Sequence, residues 1–442
     1  EVLMGNNNGL DLNYEGGTAK MTMDASAEQG TYANGKIYVD ADSTFTTAPV
    51  SATMAAKFVG AIRTTVSQDA EGYMVGTQGN TGFCPHCDAV VEWSIFDETF
   101  SPTTYSRWGV EGGNKDYNNP INGHYYLDED FLKGTGTATQ SFIYLNYGKN
   151  DLTLDFNGYT VGHNANNKCT NDYFIAGGGN EKINLLDSAG NGGVDMQSKE
   201  SPIAAKGGGC VITIYGGRYK NTESGMGGPS GGIVNGYRIN IYGGLFDASE
   251  KVMFYSDATP SEGSAIYCAG SYLNIYNGVF LGGTGSTKGG TVCMNYASGT
   301  FRMDAGLIAD GYLRKALTYE NGGGNLYSNA NTFTMNGGII ADGSVSKTNT
   351  ADGSKTTAGG GNLYVQSNNA NINGGLIVGG EAPAYGGNIY RSGTAMIISG
   401  DTVVAYGIAQ GNNGVGGGIY AGGTIEKTSI NGAYFVNNLA NF

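Results

Sequence analysis

Residues 322–343 read GGGNLYSNANTFTMNGGIIADG, and both halves of this stretch recur along the chain. The first half, GGNLY, returns as GGNLY at Gly360–Tyr364, GGNIY at Gly386–Tyr390 and GGIY at Gly417–Tyr420. The second half, FTMNGGII, has relatives that keep the same order of apolar, polar and glycine positions. They are VITIYGGRY (211–219), INIYGGLF (239–246), LNIYNGVF (273–280), FRMDAGLI (301–308), ANINGGLI (370–377) and SINGAYF (429–435). The chain is therefore a repeat.

The repeat has the periodicity of a β-strand. Its copies follow one another every 25 to 37 residues, and LTLDFNGYTV (152–161) extends the series backward. Within each copy the apolar residues alternate, as in Phe333 and Met335, which is typical of strands. Short strands separated by Gly and Asn turns, with no helical pattern between them, predict a parallel β-solenoid, that is a parallel β-helix, of about ten coils.

The glycines, asparagines and aspartates of the repeat are predicted to form its corners. Glycine adopts the positive φ that a sharp corner needs, and Asn and Asp tolerate the left-handed region better than other residues. Asp310 and Asp342 occupy equivalent places in successive coils, which favours a corner role over an active site. We expect the same role for the asparagines at matching places, namely Asn325, Asn336, Asn362 and Asn388.

Aliphatic and tyrosine residues alternate in the GGNLY unit. We predict that the aliphatic positions point inward and the tyrosines outward, where tyrosines of neighbouring coils can stack on adjacent strands. Cys293 occupies a tyrosine position in one coil. The inward set is Leu326, Leu363, Ile389 and Ile419; the stacked sets are Tyr364, Tyr390 and Tyr420, and Tyr215, Tyr242 and Tyr276.

Composition excludes several classes of function. The chain holds 24 Lys and Arg against 38 Asp and Glu, a net charge of -14, which disfavours nucleic acid and anionic membrane surfaces as partners. Apolar runs are shorter than the ~20 residues that span a bilayer, so we predict no membrane insertion. A neutral glycan remains compatible with this charge. Six cysteines in 442 residues do not form a disulfide scaffold.

Three regions are predicted along the chain. Residues 1–82 form an N-terminal β-rich segment, in which residues 1–45 resemble detached solenoid rungs and residues 46–82 include a linker. Residues 83–150 form a cap region that contains the segment Cys84-Pro-His-Cys87, and residues 151–442 form the parallel β-helix repeats.

The segments after residue 82 carry a family resemblance. Cys84-Pro-His-Cys87, Val91-Glu-Trp93, Gly123-His-Tyr-Tyr-Leu127 and Leu152-Thr-Leu-Asp-Phe-Asn-Gly-Tyr-Thr-Val161 occur in this order. In this respect residues 83–442 resemble large secreted surface proteins of anaerobic Gram-positive bacteria that contain right-handed parallel β-helix repeats. The resemblance implies a pectate-lyase-like solenoid, a secreted or cell-surface location, and adhesive or structural roles.

Cys84 and Cys87 have the C-x2-C spacing of zinc-binding knuckles. Three interpretations stay open: a bound zinc ion, a local disulfide, or two free thiols. A zinc site needs further ligands from elsewhere in the chain, and His124 is the candidate third ligand, with His163 and Cys169 as alternatives. The remaining cysteines stand singly, and we expect them to act as small apolar residues; they are Cys169, Cys210, Cys268 and Cys293.

Solenoids of this shape include polysaccharide lyases and hydrolases, so paired carboxylates are relevant. Glycoside hydrolysis needs two carboxyl groups about 5 to 9.5 Å apart. Asp128, Glu129 and Asp130 form the one acidic cluster in the sequence, and a solvated turn explains it as well. The acidic residues of the repeats, Asp304, Asp310, Asp342 and Asp401, lie in strands or corners.

The sequence therefore predicts a non-enzymatic extracellular β-solenoid with no catalytic residues and no cofactor other than the zinc considered above. We expect a surface or filament-forming structural protein that assembles end to end as a homo-oligomer. The alternative is an adhesin, or a polysaccharide-binding or polysaccharide-degrading protein of the same fold.

Overall fold

The computed structural model describes twenty separate ranges of the chain, and every regular element in them is a β-strand. The described ranges are 12–14, 18–21, 37–39, 44–49, 64–68, 73–78, 81–96, 122–133, 141–145, 150–163, 173–198, 200–205, 207–222, 232–250, 262–285, 287–313, 322–346, 359–410, 414–422 and 428–440.

The strands from Ser94 onward form a parallel β-solenoid. Each coil contributes a strand to each of three parallel sheets, which we name A, B and C in chain order and whose strands are given below. From Thr284 onward each coil also contributes to a short fourth sheet, D, before the chain returns to sheet A one rung further along. Sheet C contains eleven strands and sheet D six. The predicted fold class is thus confirmed, with a coil count that differs slightly from the ten expected.

Sheets A and B are joined by two long strands, Val234–Ile241 and Ile266–Ile275, which take part in both sheets. The other strands of sheet A are Ser141–Leu145, Tyr173–Gly177, Ile203–Ala205, Val292–Met294, Leu326–Ser328, Leu363–Val365, Ile389–Arg391 and Ile419–Ala421. The other strands of sheet B are Ser94–Ile95, Asn122–Tyr126, Asp151–Asp155, Lys182–Leu186, Val211–Ile214, Thr300–Met303, Thr332–Met335, Asn369–Ile372, Ala395–Ser399 and Thr428–Asn431.

Sheet C contains Phe131–Lys133, Thr160–His163, Gly193–Met196, Arg218–Asn221, Leu245–Asp247, Val279–Leu281, Leu307–Ala309, Ile339–Ala341, Leu376–Val378, Val403–Ala405 and Tyr434–Val436. Sheet D contains Thr284–Gly285, Tyr312–Leu313, Ser344–Val345, Glu381–Ala382, Ile408–Ala409 and Leu439–Ala440.

Parallel pairing also occurs near the start of the chain. Leu12–Tyr14 pairs with Ile37–Val39, and Thr18–Met21 pairs with Thr44–Pro49. Thr64–Gln68 and Tyr73–Gln78 pair antiparallel, as do Thr81–Cys84 and Ala89–Glu92. The predicted boundaries at residues 82 and 150 stay predictions, although the sheet B ladder already begins at Ser94–Ile95.

The core of the solenoid is a set of apolar rows that run from rung to rung. Phe301 and Phe333 are adjacent in the register of sheet B, and their rings stack with centroids 4.9 Å apart. In sheet C, Phe246 stacks on Phe280 at 4.8 Å. Because no single coil can cover its own apolar face, each rung is stabilised by the two rungs beside it.

The inward aliphatic positions are confirmed, and Tyr327 and Tyr364 lie on the opposite side of the sheet, as predicted, although they are buried there. Leu326 and Leu363 lie in the main core, whereas Tyr327 and Tyr364 form a separate cluster on the outer side of sheet A that also includes Cys293. Tyr327 and Tyr364 are nevertheless buried, because glycine-rich segments run over them. A Cβ at Gly322 would lie 2.5 Å from the ring of Tyr364, so only glycine allows this approach.

The aspartate corners are confirmed. Asp310 and Asp342 have φ of 59° and 55°, and Gly379, Tyr406 and Asn437 have positive φ at the same corner of later coils. The four asparagines lie between strands, as a corner role requires, but the left-handed conformation expected of them was wrong. The residues with positive φ in the described part of the chain do not include Asn325, Asn336, Asn362 or Asn388.

Three of these asparagines instead form a buried row, which we call the asparagine ladder. Asn325 Nδ2 donates to Asn362 Oδ1 and Asn362 Nδ2 donates to Asn388 Oδ1, both at 2.8 Å. Each amide also binds backbone groups at the turn into sheet D; Asn362 accepts from Gly343 N and donates to Val378 O. Asn388 Nδ2 donates to Asn438 Oδ1 at 3.1 Å, which extends the row by one residue.

Candidate metal centre and neighbouring surfaces

A β-hairpin positions the two cysteines of the CPHC segment. Its strands, Thr81–Cys84 and Ala89–Glu92, are joined by a turn over residues 85–88 in which Asp88 has a φ of 51°. Cys84 ends the first strand and Cys87 lies in the turn. The C-x2-C spacing therefore places both side chains at the tip of the hairpin.

The Cys84 sulfur is buried and receives backbone hydrogen bonds. The N–H of Cys87 donates to Cys84 Sγ at 3.4 Å. Burial raises the pKa of the Cys84 thiol to about 12, while the backbone N–H groups of Cys87 and His86 lower it. Donors directed at a sulfur favour its thiolate form, because they stabilise the negative charge.

The third candidate ligand, His124, comes from the solenoid. His124 lies on the sheet B strand Asn122–Tyr126, and its Nε2 is 3.1 Å from Cys87 Sγ. The ring of Trp93 packs edge-on against His124, with centroids 5.1 Å apart. Burial lowers the pKa of His124, and so does the proximity of His86, which favours the neutral imidazole that can ligate a metal.

The donor atoms of Cys84, Cys87 and His124 all lie within 4.8 Å of one another. In a tetrahedral zinc site, bonds of about 2.3 Å to sulfur and about 2.0 Å to nitrogen separate the ligand atoms by about 3.5 to 3.8 Å. The three side chains thus have the size and the donor chemistry of a zinc site. The structure brings together the two cysteines and the third ligand that the sequence suggested. The side chain of His163 and all of Cys169 lie outside the described residues.

The hairpin packs on the outer side of sheet B. Cys84 and Trp93 form a small buried cluster with Tyr126 and Leu186, which belong to sheet B strands. His86 makes a second contact, with its Nδ1 3.4 Å from the hydroxyl of Tyr215. Its Nε2 lies 3.9 Å from Asp151 Oδ1. Residues of both the hairpin and the solenoid therefore surround the candidate centre.

An exposed aromatic row continues from the hairpin along sheet B. Tyr215 stacks on Tyr242 at 5.1 Å and Tyr242 on Tyr276 at 4.6 Å, as the sequence predicted. Tyr242 is 45 % exposed. The row offers a flat aromatic surface to solvent.

Sequence reasoning missed a polar cleft of about 330 Å³ on the outer side of sheet C. Asp195, Lys220 and Asp247 line it and lie side by side in the register of three successive rungs, with Arg218 beside them. Two rungs separate the aspartates by about 9.6 Å along the sheet, since neighbouring strands lie ~4.8 Å apart. The signal was present in the sequence as polar residues at coil spacing on one face.

The carboxylates of Asp155, Asp187 and Asp130 accept hydrogen bonds from backbone N–H groups. Asp155 and Asp187 are buried neighbours at a corner; Asp155 Oδ1 accepts from the backbone N–H of Asn157 and Ser188. Burial, and then the charge of Asp187, raise the pKa of Asp155 to about 7. In the predicted acidic cluster, Asp130 accepts from Thr160 N at 2.8 Å, and Glu129 and Asp130 are exposed, as expected of a solvated turn.

The single cysteines in the described residues are buried free thiols, as predicted; they are Cys210, Cys268 and Cys293.

Comparison of the chain with family models, with curated proteins and with solved structures finds no match. In the described part of the chain we find no helix with the length and apolar character of a membrane span. What the structure supports of the family resemblance is the parallel β-solenoid itself.

Proposed function

We propose that this protein is a non-enzymatic extracellular β-solenoid, a surface or filament-forming structural protein whose copies stack end to end. The observation that carries the proposal is the rung at residues 428–440. Two apolar side chains in rows that point inward face solvent here: Ile430 is 50 % exposed and Phe435 is 37 % exposed. The equivalent residues one rung earlier, such as Ile398 and Val404, are fully buried.

A β-rung is the natural partner for this surface. The rung presents backbone N–H and C=O groups along its strands, and a parallel strand from another molecule can pair with them. Strands that pair in parallel exist near the start of the chain, where Leu12–Tyr14 lies beside Ile37–Val39. Contact between these strands of one copy and rung 428–440 of the next is heterologous, so it propagates into a filament.

The distribution of polar groups supports a structural rather than a catalytic role. The asparagine ladder bonds to itself and to the backbone, and the neighbouring carboxylates of Asp155 and Asp187 are buried. A secreted or cell-surface location agrees with the low charge content and with the resemblance to β-helix surface proteins.

Light scattering and electron microscopy of the purified chain over a range of concentrations test the assembly. We expect filaments or concentration-dependent oligomers, and we expect Ile430→Lys to reduce them strongly because it places a charge in the inward-facing row that would stack on the next copy. Ile397→Lys is the matched control, since Ile397 is 45 % exposed on the outer side of sheet B and does not belong to rung 428–440. A particle that stays monomeric at high concentration, or equal assembly of both variants, would overturn the proposal.

A second function, glycan binding, is favoured by the exposed tyrosine row and by the sheet C cleft. Stacked tyrosines suit the apolar faces of sugars, and the two aspartates with Lys220 suit a polar polysaccharide. Affinity electrophoresis in neutral and uronate polysaccharides tests this, with Tyr242→Ala and Asp195→Asn as variants. Release of reducing ends or unsaturated products that Asp195→Asn abolishes would show an enzyme and refute the non-enzymatic proposal.

A further inference from the structure

We propose that Cys84, Cys87 and His124 bind one zinc ion, which fastens the hairpin 81–92 to the outer side of the solenoid. The two sulfur ligands belong to the hairpin and the nitrogen ligand to sheet B. An ion held by all three therefore links two elements that otherwise meet through side-chain packing and the polar contacts of His86. This inference is independent of end-to-end assembly.

The donor set selects the metal. Two thiolates and an imidazole suit zinc, whereas calcium and magnesium prefer oxygen ligands. The mutual distances below 4.8 Å agree with a single tetrahedral ion. Binding displaces the two thiol protons to solvent, so the bound centre carries two thiolates and a neutral imidazole.

The surroundings are organised for this chemistry before a metal binds. The N–H of Cys87 already points at Cys84 Sγ, and this bond stabilises a thiolate. Trp93, which is 1 % exposed, packs against the His124 ring and limits its rotation. The positive φ of Asp88 turns the chain back into the second hairpin strand directly after Cys87. Each feature fixes a ligand rather than merely filling space.

The fourth position is assigned to solvent. His86 is the nearest further histidine in sequence, but its two ring nitrogens face Tyr215 and Asp151 instead. Cys87 is exposed, so water can reach the ion from this side. We therefore expect His86→Ala to retain the metal, and we expect chelators to remove it without unfolding the solenoid.

The test measures metal content and affinity on the full chain, purified under reducing conditions and supplied with zinc alone. We expect one zinc per chain by elemental analysis, and a loss of affinity of at least about 100-fold in Cys84→Ser, Cys87→Ser and His124→Ala. Cys268→Ala is the matched control, because Cys268 is a buried free thiol in another coil, and it should bind as the unmodified chain does. Circular dichroism establishes that each variant is folded.

Cobalt substitution gives an independent readout that does not need the variants. A tetrahedral site with two sulfur ligands gives intense visible absorption and sulfur-to-cobalt charge-transfer bands. Zinc should also protect Cys87 from thiol reagents and slow proteolysis within the hairpin, and chelation should reverse both effects. Absence of binding at micromolar zinc, a Cys84–Cys87 disulfide in the reduced preparation, or binding that survives all three variants would overturn the proposal.

Discussion

The regular rungs around the asparagine ladder and the earlier rungs around Asp155 fix their corners in different ways. In the ladder, a side-chain amide of each coil bonds the amide of the next as well as two backbone groups. At the earlier corner, Asp155 and Asp187 accept from backbone N–H groups, and Asp155 Oδ2 is buried with no hydrogen-bond partner among the described residues.

The difference follows from donor and acceptor capacity. An amide both donates and accepts, so identical residues can stack indefinitely with every group satisfied. An ionised carboxylate only accepts, and two buried neighbours repel; burial, and then this repulsion, raise the pKa of Asp155 to about 7. Asparagine can therefore occupy the same corner in one coil after another, whereas the stability of the aspartate corner depends on pH.

The largest expected effect comes from placing a carboxylate in the ladder. Asn362→Asp keeps the shape of the side chain but removes the donors to Val378 O and Asn388 Oδ1, so we expect about 4 kcal/mol lower stability at neutral pH. Denaturant unfolding followed by circular dichroism measures it. Asn373→Asp, in an exposed row, is the control and should cost less than about 1 kcal/mol. Equal losses would show that the ladder adds nothing beyond rung stacking.

Truncating a buried tyrosine should cost slightly less. Tyr364 lies between Tyr327 and Tyr390, at 5.3 and 4.8 Å, and Tyr364→Ala leaves a cavity in this stack, for about 3 kcal/mol. The comparison is Tyr242→Ala in the exposed row, where about 1 kcal/mol is expected. Thermal unfolding of the two variants measures the difference, and a similar loss in both would contradict the burial of the inner row.

The aspartate corner should give the protein a stability that depends on pH. The folded-state pKa of Asp155, about 7, exceeds the unfolded value of about 4, so the folded state binds the proton more tightly and stability falls as pH rises from about 4 to about 7. Asp155→Asn should therefore stabilise the protein by about 2 kcal/mol above this window and much less below it. Unfolding midpoints measured across the window test this, and a pH-independent difference between variant and unmodified chain would refute it.

The smallest expected effect is at the sheet C corner. Tyr406 adopts a φ of 53° where a previous coil has Gly379, so Tyr406→Gly should relieve backbone strain and raise stability by about 0.5 kcal/mol. Gly379→Ala should destabilise, because Gly379 has a φ of 71°, where a side chain is strained, and its Cβ would also displace the carboxylate of Asp342. Midpoints that move in the same direction for both variants would contradict the corner assignment.

The fold could be predicted from the sequence because the aligned repeats show which residues of neighbouring coils pair with each other. Once GGNLY and FTMNGGII are aligned, the pairing of Phe301 with Phe333 and of Leu326 with Leu363 follows directly. The asparagine ladder was missed because Asn in a glycine-rich stretch has two common roles, a positive-φ turn residue or a buried side-chain bond. Residue propensity does not distinguish these two roles. The role of Asn362 is decided by the backbone N–H of Gly343 and the backbone carbonyl of Val378, which are 16 or more residues away in sequence and lie beside its side chain in the fold.

The candidate centre was predictable in part. Cys84 and Cys87 are recognisable from spacing, whereas the place of His124 depends on how the hairpin lies against sheet B, 37 residues later. The cleft with Asp195 and Asp247 was hidden because its residues differ in charge from rung to rung, so the repeat does not mark them.

The register along the asparagine ladder is constant although the coils differ in length. Asn325 and Asn362 are separated by 37 residues and Asn362 and Asn388 by 26, yet both pairs bond at the same distance. Peptide tags or whole domains inserted between Ser346 and Gly359 should therefore be tolerated, because the extra chain leaves the rungs on either side in place. The protein is in this sense a scaffold on which segments of very different size can be displayed at intervals fixed by the rung spacing.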